Sequence, residues 1–184
     1  MKNTVILLLV AMAAFSFKNA TPVKFFTKTG NITFFSHTNI EDIEAVNHKV
    51  TSAFETATGK MQFSVLMKAF EFEKALMQEH FNENYVESDK FPKAAFDGSI
   101  DNIKAINFEK DGTYKSTVTG NLTIKGKTNK VSTEGTFIVK GGDVQGKATF
   151  KIKLADYNVT IPSVVKDKIN EQVEIRVDMN YKPM

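Results

Sequence analysis

The sequence predicts an all-β fold: an antiparallel β-barrel of about eight strands, with one short helical insert near residues 73–81. Three observations carry this. Most of the chain alternates apolar and polar side chains with a two-residue period; Ala148, Phe150, Ile152 and Leu154, for example, are set against Lys147, Thr149, Lys151 and Lys153. Such alternation gives each strand one dry and one wet face, as in antiparallel sheets with a solvated side. The alternating runs are also long, roughly ten residues, which suits a curled or closed sheet better than a short-stranded sandwich. A single stretch, Lys68 to Tyr85, abandons the two-residue period.

Taken in chain order, the first element is a leader. Lys2 precedes Val5 to Phe17, a 13-residue run without charge. A membrane span needs about 20 apolar residues, so this run reads as a secretory signal. Cleavage is expected after about Ser16 or Ala20, making residues 1–20 a signal peptide and 21–184 one exported domain, periplasmic or beyond. Within that domain Met61, Phe63, Val65 and Met67 share a parity against Gln62, Ser64 and Lys68, with Leu66 the exception. From Phe70 and Phe72 through Leu76, Met77, His80 and Phe81 the spacing drifts towards three and four residues, and Glu73 to Glu79 are good helix formers. Asp111-Gly112 predicts a hairpin between Ile106–Phe108 and Tyr114. From Tyr114 to Leu154 the chain reads as a three-strand meander. Its first parity set is Tyr114, Ser116, Val118, Leu122 and Ile124; the second is Val131, Gly135, Phe137 and Val139. Lys125-Gly126-Lys127 and Gly141-Gly142-Asp143 separate the three strands. Gly98, Gly120, Gly135 and Gly146 fall within or beside strands, where glycine marks a bend or a close backbone approach. Pro162 to Ile169 suggests a weaker helical turn. Val173, Ile175, Val177, Met179 and Tyr181 define the last strand.

Composition narrows the function. The formal charge is +3, and removing Lys2 and Lys18 with the leader leaves 22 basic against 21 acidic side chains. No basic stripe survives, which argues against nucleic acid as a partner. Cysteine is absent, so a lipid anchor on a leader cysteine, disulfides and thiol catalysis are all excluded. There are 16 Phe and no Trp, a heavy apolar aromatic load. His37, His48 and His80 form no metal-ligand pattern. His48 shares its parity with Val46 and Val50 and is expected to point inward. Glu41, Asp42 and Glu44 sit on one short segment and read as a solvated loop rather than a catalytic pair. Three Asn-x-Thr matches, at Asn31, Asn121 and Asn158, read as chance in a Thr-rich β chain. No nucleophile elbow, phosphate loop or dinucleotide motif is present, so neither a catalytic residue nor a cofactor is assigned.

Four segments carry a resemblance. They are Met77 to Tyr85, Phe91-Pro92-Lys93-Ala94-Ala95-Phe96, Gly120 to Thr128, and Ala155 to Pro162. In this order they resemble the YceI-like family over roughly residues 23–182, in the variant seen in Bacteroidetes. Asn121 stands where that family's hairpin has Asp. Gln78-Glu79-His80-Phe81 replaces an R-D-x-H-L stretch, so no role tied to that Arg-Asp pair carries over. The resemblance implies a lipocalin-like barrel whose apolar interior holds an amphiphile of polyisoprenoid, quinone or fatty-acyl type. It implies no catalysis, a periplasmic location and, often, a homodimer. The interior candidates are Phe34, Phe63, Val65, Phe70, Phe72, Leu76, Phe81, Phe96, Tyr114, Leu122, Phe137, Phe150 and Ile152. His80, Asn82, Asn84 and Tyr85 are head-group candidates, and Lys90 and Lys93 could pair with a phosphate. The same inward side chains could instead fill the barrel. The chain would then be an envelope structural, interaction or stress-response module working through its outer face. An enzyme using His80 as acid or base is a third reading.

Overall fold

A computed structural model of the chain describes residues 23–184; the expected leader and its cleavage position lie outside the described residues. The strands are β1 (Lys24–His37), β2 (Asp42–Glu55), β3 (Lys60–Leu66), β4 (Phe70–Phe72), β5 (Lys93–Ile100), β6 (Gly112–Ile124), β7 (Lys127–Lys140), β8 (Asp143–Lys153) and β9 (Gln172–Pro183). They pair in the order β1-β9-β8-β7-β6-β5-β3-β2, and β2 returns to β1. The sheet therefore closes into an antiparallel barrel, as the long strands and the family resemblance lead one to expect. The short β4 continues the path of β3 after a single 3-10 turn, Met67–Ala69, and pairs with Ala45–Asn47 of β2.

This winding gives the barrel two unlike ends. At one end lie the turn at 38–41, the insert at 73–92, the turn at Lys125-Gly126 and the long connection at 154–171. At the other lie the turn at 56–59, the segment at 101–111 and the turn at Gly141-Gly142. Lys125 and Gly126 have φ of 48° and 72°, and Gly141 and Gly142 have 59° and 87°. Two consecutive left-handed residues make the two-residue turn whose twist matches the flanking strands.

Four expectations need correction. Ile106–Phe108 is not a strand before Asp111-Gly112. Residues 101–111 instead fold across the barrel end, with a 3-10 turn at Ile103–Ala105. Ile103 and Ile106 are buried there, and the Phe108 ring lies 5.6 Å from Phe25 and 5.7 Å from Phe54. Apolar side chains at an open barrel end are better used as a plug than on a paired strand. His48 does not point inward. The inward set on β2 is Ile43, Ala45 and Asn47, then Val50, Ser52 and Phe54, so the parity switches across His48-Lys49. A register shift against β1 near Gly30 accompanies the switch, and an extra residue of this kind re-aims every side chain beyond it. His48 is exposed, with Nδ1 2.7 Å from Asn31 Oδ1. The insert helix α1 spans Ala75–His80 and runs on into a π turn, Phe81–Tyr85, rather than covering 73–81. The expected helical turn after Pro162 is only the 3-10 turn Ser163–Val165.

Candidate functional site

The bore of the barrel is filled at one end and hollow at the other. At the filled end Phe25 and Phe54 stack with centroids 5.0 Å apart, and Tyr181 meets Phe54 edge-on at 4.9 Å. Val139, Val144 and Ile100 complete this base and are buried. Met179 crosses the backbone at Gly30, where any Cβ would collide with its sulfur. Tyr181 is buried, and its hydroxyl donates to Ser52 Oγ at 2.8 Å, while Ser52 donates in turn to the Gln62 carbonyl at 2.9 Å. Burial pushes the Tyr181 phenol far above the usual tyrosine range.

Above this base lies a cavity of about 500 Å³. Phe137, Met61, Met179 and Tyr181 form its floor. All the interior candidates except Tyr114 line it: Phe34, Phe63, Val65, Phe70, Phe72, Leu76, Phe81, Phe96, Leu122, Phe137, Phe150 and Ile152. Tyr114 keeps its inward parity but sits too close to the base, where its hydroxyl donates to the Lys110 carbonyl at 3.0 Å. Val173, Ile175 and Val177 complete the wall from β9. Paired Gly98 and Gly120 let the Phe96 ring fold against the wall; a Cβ on either would sit 2.6 Å from Phe96 Cζ. Phe63 meets that ring edge-on at 5.8 Å. Four further rings form a cluster beneath the insert: Phe81 lies 5.6 Å from Phe34, 5.6 Å from Phe70 and 5.1 Å from Phe72. The π turn widens the last helical turn, the Val86 amide donating to the Phe81 carbonyl five residues back.

The mouth is where the polar groups gather. Lys74, at the start of α1, donates to Glu41 Oε1 at 3.0 Å and so ties the insert to the β1–β2 turn. Glu41 holds that ammonium above its ordinary pKa. Glu87 is paired with Lys125 at 2.7 Å, which holds its carboxyl below the usual range. Phe91 packs over Gly126 beside this pair. On the third side, Asn170 donates from its amide to Ser36 Oγ at 2.9 Å and from Nδ2 to the His37 carbonyl at 3.0 Å. Around the rim Ile40, Leu76 and Val164 are exposed by 63%, 61% and 87%, so the opening has an apolar lip on three separate elements.

The head-group candidates divide. His80 and Tyr85 line the cavity. Burial raises the Tyr85 phenol above its ordinary pKa. Asn82 and Asn84 lie outside the cavity wall: Asn82 donates to the Gln78 carbonyl at 2.8 Å, closing the helix, and Asn84 is exposed. Lys90 and Lys93 also lie off the wall; Lys90 sits 5.1 Å over the Phe91 ring. Glu41, Asp42 and Glu44 are not a freely solvated loop, since they pair with Lys74, His37 and Arg176 respectively. The residues missed from the sequence are Glu41, Lys74, Lys168, Val165 and Ile169, all of which line the opening. Only Val165 and Ile169 left a legible trace, as an apolar pair four residues apart.

An apolar wall with charges confined to its rim can shelter a hydrocarbon and orient a polar end outward. Among the described residues no cluster of three His, Asp or Glu side chains converges as a metal site requires. His80, the one His on the wall, has no hydrogen-bonded acid or nucleophile among the described residues.

Several solved structures share this architecture. A polyisoprenoid-binding domain from Saccharophagus degradans, implicated in plant cell wall breakdown, superposes with a TM-score of 0.77 at 13% identity, covering 88% of this chain and 98% of the other. BcnA from Burkholderia cenocepacia gives 0.68 at 19% identity, covering 82% and 95%. A YceI protein from Campylobacter jejuni gives 0.53 at 13% identity, covering 97% and 90%. At these identities the likeness is one of fold. No curated protein sequence matches the chain. The YceI-like domain matches residues 17–181, nearly the whole chain, and the protein belongs to the YceI-like domain family.

Proposed function

We propose that the protein binds the apolar tail of a long-chain amphiphilic lipid, of polyisoprenoid, quinone or fatty-acyl type, and holds the head group at the mouth. The observation that carries this reading is the cavity: about 500 Å³ of apolar space, floored at one end and open at the other. Space of this kind falls within the usual range for small-molecule sites, about 300–1,000 Å³. Each buried methylene contributes about 0.8 kcal/mol, so a tail needs no specific chemistry to be held. The description of the Saccharophagus relative as polyisoprenoid-binding supports the same class of ligand. The uncharged run after Lys2 supports export to the periplasm, where an insoluble tail needs shielding from water. The mechanism is sequestration without bond-making.

Native mass spectrometry of protein purified without detergent, followed by organic extraction, tests the reading. The expected result is a dominant adduct with an isoprenoid, quinone or acyl mass. A clean apo mass, with no uptake when polyprenols, quinones and fatty acids are each offered, overturns it. The interaction-module reading would then stand. Fractionation tests export: the chain should appear outside the cytoplasm with its N-terminus near residue 17 or 21, and full-length chain confined to the cytoplasm would refute it.

A further inference from the structure

The barrel wall is not laced equally all round. The ladder between β7 and β8 runs from Lys140–Asp143 to Gly135–Ala148 and stops there. Their other neighbours carry on: β6 stays paired with β7 as far as Ile124–Lys127, and β9 with β8 as far as Gln172–Lys153. In the mouth half, residues 127–134 of β7 and 149–153 of β8 therefore form two edges without a shared ladder. Side chains bridge the strands instead. Thr133 donates from Oγ1 to the Thr149 carbonyl at 3.4 Å, and Asn129 donates from Nδ2 to the Asp156 carbonyl, just beyond β8, at 2.6 Å. Two exposed side-chain bonds make a weak closure, and parting them breaks no backbone pairing. Behind this seam lies the cavity, lined by Val131 and Thr133 on one lip and by Ala148, Phe150 and Ile152 on the other.

The outer face of the seam is positive. Lys130 on β7 and Lys147, Lys151 and Lys153 on β8 take the outward parity and are exposed. The acids beside them are engaged: Glu134 by Lys115 at 2.9 Å, Glu174 by Arg176 at 2.7 Å and Asp178 by Lys147 at 3.7 Å. Among the described residues Lys130, Lys151 and Lys153 have no ion-pair partner. Lysines beside an unpaired edge deter strand addition, but that task requires no apolar cavity behind them. The mouth has the opposite sign. Segments 38–41, 73–92, 125–126 and 154–171 hold nine acidic side chains against five lysines.

From this we infer that the β7–β8 seam, rather than the mouth, docks on an anionic membrane surface, and that a lipid tail passes sideways through it between bilayer and cavity. Each free lysine gains from a negative surface that lies within a Debye length, whereas the acidic mouth is repelled by it. The seam runs out into the mouth, so the head group can stay at the rim while the tail slides between the strands. Sideways passage also spares the tail a crossing through water. The inference rests on the lipid-binding reading and adds to it a partner surface and a route.

Docking and passage are tested separately. Flotation of the ligand-free protein with vesicles reads docking. Binding should be strong to phosphatidylcholine mixed with phosphatidylglycerol, weak to phosphatidylcholine alone, and should fall with added salt. Replacing Lys130, Lys151 and Lys153 together by Glu should weaken it by roughly a hundredfold, at about fivefold per lysine lost. Unchanged binding in that variant overturns the docking face, and so does loss of binding in Ile40→Ser with Val164→Ser, which would assign docking to the mouth. A protein that binds polyglutamate or single-stranded DNA but shows no preference for phosphatidylglycerol overturns the membrane assignment. Stopped-flow transfer of a fluorescent fatty acid from protein to the same vesicles reads passage. The chain has no cysteine, so Glu134→Cys with Thr149→Cys places one disulfide at the first rung beyond the ladder. Oxidation should slow transfer severalfold, and reductant should restore it. Equal rates in the oxidised and reduced forms overturn sideways passage and leave lipid binding intact. A fluorescent fatty acid, polyprenol and quinone that all fail to bind overturn the lipid reading and the passage with it, while flotation still decides the docking face.

Discussion

Tyr181 and Ser52 show how a single buried pair reports on the base of the barrel. Tyr181→Phe removes a hydroxyl but leaves Ser52 donating to the Gln62 carbonyl, so the expected loss is about 1 kcal/mol. Ser52→Ala instead strands the phenol in an apolar base, a larger loss of about 1–3 kcal/mol. Urea midpoints should rank the two in that order, and a reversal would mean the phenol is satisfied elsewhere. The same residue sets an alkaline limit. Burial raises the folded-state phenol above its unfolded value, so the folded protein holds the proton more tightly than the unfolded chain. Its contribution is complete below the ordinary tyrosine range and is lost as pH climbs above about 10, at roughly 1.4 kcal/mol per pH unit. Tyr181→Phe should flatten that loss. An unchanged slope in the variant would assign the alkaline transition to other groups.

At the scale of elements, the insert is the part whose attachment to the barrel can be measured separately. Phe81 is half-buried among Phe34, Phe70 and Phe72, so Phe81→Ala should cost about 2 kcal/mol and expose the insert to proteolysis before the strands. Cleavage first elsewhere would contradict this. The Glu87–Lys125 pair gives an acid-side check. Lys125 depresses the Glu87 carboxyl, so the attachment is complete above the ordinary carboxylate range and weakens as pH falls through the depressed value. Protection factors in residues 73–92, corrected for the intrinsic pH dependence of exchange, should fall in that window, and Glu87→Gln should show the lower protection already at neutral pH. The wall of this site was legible in the sequence because inward parity survives on β3, β8 and β9. Phe63 and Val65, Phe150 and Ile152 all land on the cavity. Parity failed where a strand is bulged, at His48-Lys49, since periodicity cannot register an extra residue supplied by the partner strand's geometry. It also could not separate cavity from plug: Tyr114 and Phe137 share facing registers, yet only Phe137 reaches the hollow half. The mouth was invisible for a different reason. Glu41, Lys74 and Lys168 come from three connections whose meeting depends on closure of the whole barrel.

For the molecule as a whole, closure and hollowness pull in opposite directions. A closed sheet satisfies most of its backbone internally, while an unfilled half-bore forgoes the packing that stabilises a solid core. Under the proposed function a bound tail would supply that missing packing, which links ligand to stability. A ligand at about a hundred times its dissociation constant adds about 2.7 kcal/mol. For a domain of this length each kcal/mol moves the melting temperature by about 2–4 °C, so loaded protein should melt roughly 5–11 °C above the stripped form. Calorimetry on delipidated protein, before and after a saturating lipid, reads this directly. The Ala148→Leu variant sharpens the comparison. By filling part of the void with its own side chain, it should raise the melting temperature of the stripped form and reduce the further gain from the same lipid. Equal gains in the parent and the variant would place the lipid outside the barrel.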